Sequence, residues 1–65
     1  MHYKVYLRDK NTSALSLLPS KAKFGDTADV YMLSNATQRL IHEYIFTTSG
    51  WQFSGYRIED ISSNN

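Results

Sequence analysis

The sequence predicts an α+β domain of two layers: a three- or four-stranded, mostly antiparallel sheet with one helix packed across it (ββαβ). Three observations carry this expectation. Residues 2–8 alternate apolar and polar side chains, residues 35–47 place apolar side chains at helical spacing, and residues 51–61 resume a strand-like pattern after a glycine. The chain has 65 residues, of which 42% are apolar, with one Trp, five Tyr and three Phe. That composition suits one folded domain, expected over 1–61, with a polar tail at 62–65. A chain this short buries only about 60% of its unfolded surface, so its core is small.

Each element has a local reason. In residues 2–8, Tyr3, Val5 and Leu7 share one parity, the signature of a strand with one wet face. The cluster Asp9-Lys10-Asn11-Thr12-Ser13 is a turn. Ala14 to Leu18 is apolar enough for a short extra strand, which Pro19 ends or confines to an edge. Gly25-Asp26 marks the next turn. Residues 28–33 fit either a strand or the first part of one long helix reaching residue 47. Strand then helix is favoured, because Ser34, Asn35 and Thr37 suit a helix start and not its interior. Asn35 with Gln38 has the spacing of a capping box. In the helix, Ala36, Leu40, Ile41 and Tyr44 form the buried stripe, and Gly50 supplies the left-handed stop. In the closing strand, Trp51 and Phe53 share one parity and Tyr56 and Ile58 the other. The switch at Ser54-Gly55 indicates a bulge.

The inventory argues against catalysis. Its two histidines, His2 and His42, have no nucleophile and orienting carboxylate at a recognisable spacing. Glu59 and Asp60 point to opposite faces of a strand and cannot act as a pair. With no cysteine and only three glycines, at 25, 50 and 55, no zinc, phosphate-loop or dinucleotide pattern appears. The expectation is therefore a protein that is not an enzyme and needs no metal or cofactor. No run approaches the ~18 apolar residues of a membrane span, and the first residues lack a signal-peptide pattern. A cytoplasmic protein is expected.

Two binding readings remain. On the expected helix, Arg39, His42 and Phe46 share the face opposite the core stripe. An exposed arginine–aromatic cluster has the composition of an interface hot spot. Tyr31 is a further surplus aromatic beside it. These four residues are the candidate contacts to a protein partner. The alternative is nucleic acid: Lys4, Tyr6 and Arg8 interleave cations with an aromatic on the first strand, and Lys21 and Lys23 extend them. The basic residues concentrate before residue 26, where Asp9 is the sole acidic side chain. A structural subunit of a larger assembly is a third reading. Whether the chain self-associates is not legible.

The stretch Val30 to Ile41, followed by Gly50-Trp51 and then Tyr56-Arg57-Ile58-Glu59-Asp60-Ile61, is similar in layout to small accessory proteins of phages and mobile elements. That group includes anti-CRISPR proteins and phage inhibitors of bacterial RNA polymerase. The resemblance covers residues 30–61 and implies a stoichiometric inhibitor that binds a host protein. It assigns no individual site residue, because such proteins share topology and not sites.

Overall fold

Residues 1–61 are described by the computed structural model; the tail expected at 62–65 lies outside the described residues. The elements are β1 (His2–Tyr6), α1 (Ala14–Leu17), β2 (Thr27–Tyr31), β3 (Gln38–Thr47) and β4 (Gly50–Asp60). They form one mixed sheet in the order β1-β2-β3-β4. β1 runs parallel to β2, while β2–β3 and β3–β4 are antiparallel. A parallel pair needs a long crossover. Residues 7–26 provide it and contain the single helical turn α1.

The expected α+β architecture is overturned: no helix packs across this sheet. The segment taken for a helix at 35–47 is strand β3, paired along its length with β4 and over Ile41–Ile45 with β2. The reason lies in its composition. Ile41, Ile45 and Thr47 are β-branched and Tyr44 and Phe46 aromatic, all of which favour strands. Its apolar residues fall at both parities, Ile41 and Ile45 on one face and Leu40, Tyr44 and Phe46 on the other, which mimics a helical stripe. Asn35 does cap, but caps a turn. Its Oδ1 accepts N–H bonds from Thr37 (2.9 Å) and Gln38 (2.8 Å), and its own N–H donates to Gln38 O (3.1 Å).

Other local expectations match. Of residues 28–33, 28–31 fall on β2 and 32–33 follow it, and the closing strand is β4. Its bulge lies where the parity switches: Glu43 pairs with Gly55 and Tyr44 with Phe53, which leaves Ser54 over. The Ser54 hydroxyl donates to Glu43 O (3.2 Å). Gly50 takes φ 95°, in the left-handed region, and closes the β3–β4 hairpin instead of a helix. The short strand expected at 14–18 does not form: Ala14–Leu17 are the helical turn α1, and its C-cap Leu18 enters the core.

The core sits between the crossover and the β1–β2 half of the sheet. Leu18, Ala28 and Val30 are buried there, with Tyr3, Val5, Ala14, Met32, Tyr44 and Trp51 packed around them. The indole N–H of Trp51 donates to Pro19 O (2.9 Å), which ties the crossover to the start of β4. A radius of gyration of 12.7 Å and extents of 42 × 24 × 15 Å describe an elongated molecule. A compact chain of this length would have a radius near ~11 Å. The difference arises because the second layer covers only part of the sheet.

Candidate functional site

Opposed residues in the ladders share a face, so the register sorts every strand side chain. One face carries His2, Lys4 and Tyr6 from β1, Thr27, Asp29 and Tyr31 from β2, Arg39, Ile41, Glu43 and Ile45 from β3, and Arg57 and Glu59 from β4. The other carries Tyr3, Val5, Ala28, Val30, Leu40, His42, Tyr44, Phe46, Trp51, Phe53, Tyr56 and Ile58. The crossover covers part of this second face.

The first face is a neutralised ionic surface. The Arg57 guanidinium reaches Asp29 Oδ2 (3.0 Å) and Glu43 Oε2 (2.6 Å). His2 lies between Thr27 and Asp29, with Nδ1 2.7 Å from Thr27 Oγ1 and Nε2 3.3 Å from Asp29 Oδ2. Burial pushes the Asp29 carboxyl up, but the Arg57 hydrogen bond and charge, with His2 adding to them, hold it below its ordinary value. Its hydrogen bonds to Asp29 and Glu43 hold Arg57 above its own. The hydroxyl–imidazole–carboxylate row of Thr27, His2 and Asp29 lies on open sheet, and neither surface depression is lined by His2 or Thr27. It follows from the β1–β2 register, which sets His2 beside Thr27.

Arg39 and Tyr31 belong to this face. Tyr31 is buried and stacks on Tyr6, with centroids 4.6 Å apart. The Arg39 guanidinium carbon lies 5.7–5.8 Å from both ring centres. His42 and Phe46 lie on the other face. His42 meets Phe53 edge-on at 5.2 Å, and Phe46 sits between Trp51 (5.2 Å) and Phe24 (6.2 Å). The expected Arg39–His42–Phe46 cluster depended on helical spacing and does not assemble, because β3 sends residues 39 and 42 to opposite faces. The nucleic-acid set divides in the same way. Lys4 and Tyr6 are on the ionic face and Arg8 follows β1. Lys21 and Lys23 line a depression of about 450 Å³ together with Tyr3 of the opposite face.

Beyond the crossover, the second face is bare. Phe53 is 53% exposed, Tyr56 63% and Ile58 59%, and Leu33 at the end of β2 is 48% exposed. A shallow depression of about 310 Å³ lies between Leu33, Leu40 and Ile58, with Ser34, Asn35 and Gln38 at its rim. By register, no Lys or Arg of the four strands projects from this face. Large apolar side chains grouped in this way mark interaction surfaces. The patch was partly legible. A bulge at Ser54 shifts parity by one, so Trp51, Phe53, Tyr56 and Ile58 all fall on one side. The ionic row was not legible, since Asp29 and Arg57 are 28 positions apart.

Among the described residues no group of acidic, histidine or cysteine side chains could hold a metal ion, and no helix is long and apolar enough to cross a membrane. No family model, curated protein or solved structure matches the chain.

Proposed function

We propose that this chain is a non-enzymatic protein-binding module that docks an apolar protein surface on the uncovered β3–β4 face. The supporting observation is the contiguous exposure of Leu33, Phe53, Tyr56 and Ile58 on a face whose strands present no cation. Nucleic acid requires cations beside stacking aromatics. The strands of the bare face present exposed aromatics without a Lys or Arg, while on the ionic face Arg39 lies over Tyr6 and Tyr31 and Arg57 is already held by two carboxylates. A stoichiometric inhibitor acting on a host protein complex in the cytoplasm is the specific form of this reading.

The test is capture of a partner from host lysate with nuclease present, comparing the native chain with Tyr56→Ser. A hot-spot aromatic should cost about 2 kcal/mol or more of binding, a loss of roughly thirtyfold, without unfolding the chain. Capture abolished by nuclease or by moderate salt, and indifferent to Tyr56→Ser, would favour nucleic acid instead.

A further inference from the structure

We propose that β4 pairs edge to edge with β4 of a second copy of this chain, antiparallel about a two-fold axis through Ile58. β1 and β4 are the two edges of the sheet. β1 has five residues and carries Lys4; short, lysine-bearing edges resist pairing. β4 has eleven residues with neither Lys nor Pro, and its ladder runs without a shift from Gly55 to Asp60.

The backbone on that edge points outward at defined positions. The Ile61 N–H donates to Thr37 O (2.8 Å), toward β3. Inward and outward groups alternate along an antiparallel strand. Arg57 and Glu59 therefore bond toward β3, while the N–H and C=O of Tyr56 and Ile58 face the open edge.

Charge and the bulge select the register. A two-fold axis normal to the sheet keeps like faces together and makes the contact self-complementary. Centred on Ile58, it sets Ile58 against Ile58 and places Arg57 of each copy opposite Glu59 of the other, a favourable cross-strand pair made twice. Centring on Arg57 or Glu59 opposes like charges. Centring on Tyr56 runs Ile58 into the bulged Ser54. Arg57 stays on Asp29 and Glu43, and the exposed Glu59 faces its strand position across the seam, so the register sets unlike charges opposite each other. The joined sheet has eight strands, and the bare faces of both copies become one apolar platform. This goes beyond the docking role and holds whatever protein covers that face. Pairing about five residues per strand buries less than the ~1,200 Å² of a standard interface, so the dimer is weak and reversible.

Sedimentation equilibrium of the full chain from micromolar to millimolar concentration tests this. The native chain should pass from monomer to dimer. Ile58→Pro removes an outward N–H and leaves the β3–β4 ladder intact, and Glu59→Lys sets Lys against Arg57. Each should weaken the dimer at least about tenfold, with the dilute monomer still melting cooperatively. Phe53→Ser should leave the dimer unchanged, although it removes part of the docking face, so the two proposals fail separately. A native chain monomeric at millimolar concentration would overturn the inference. So would a dimer indifferent to Ile58→Pro and Glu59→Lys, or one dissociated by Phe53→Ser.

Discussion

Val30 and Ile41 are the largest fully buried side chains, and they lie on opposite faces of the sheet. Ile41 is flanked across its ladders by Tyr31 and Arg57. Ile41→Ala should therefore cost about 2–5 kcal/mol. Leu40, the centre of the stripe expected from the sequence, is half-buried beside an open depression. Leu40→Ala should cost clearly less, and denaturant midpoints of the two variants give the order. The acid response also belongs to single residues. Asp26 is held below its ordinary value of 3.8, first by the hydrogen bond from the Met1 ammonium and then by the Lys23 N–H. Asp29 is lowered from the same value by Arg57 and His2, against the upward push of burial. As pH falls through 3.8, the unfolded chain takes up protons before the folded one does. The stability these two groups give is thus complete above 3.8 and is lost as pH falls through their lower folded values. Urea midpoints from neutral pH to below 3.8 should show that decline, and Arg57→Gln should flatten the part due to Asp29.

At the scale of elements, sequence patterns located the breaks better than the classes. Asn35 caps, Gly50 takes the left-handed turn and Ser54-Gly55 bulges, as their local chemistry indicated, because each acts within three or four residues. What followed Asn35 was misread, since an Asx-type turn opens a strand as readily as a helix. Only pairing partners settle that choice, and those of β3 lie up to 22 positions away, as Gln38 opposite Asp60 shows. Far-UV circular dichroism should accordingly show a strand spectrum without a helical minimum pair. The crossover offers a sharper check. Trp51→Phe keeps the ring packing near Tyr3 and Phe46 but deletes the bond to Pro19 O. It should cost about 0.5–1.5 kcal/mol, read from thermal melts.

For the whole molecule, one sheet is half covered, and its two faces differ in chemistry. On the ionic face Arg57 pairs with Asp29 and Glu43. The other buries a small core at the β1–β2 end and presents Phe53, Tyr56 and Ile58 at the β3–β4 end. Composition indicated a folded domain, and surplus aromatics suggested a contact surface. Its placement depended on the register, so a cluster drawn at helical spacing mixed residues of both faces. Hydroxyl-radical footprinting of the free chain and of its captured complex tests the docking face most directly. Phe53 and Tyr56 should react readily in the free chain and become protected on binding, while Tyr6 on the ionic face keeps its reactivity. Protection of Tyr6, with Phe53 and Tyr56 still reactive in the complex, would contradict the assignment.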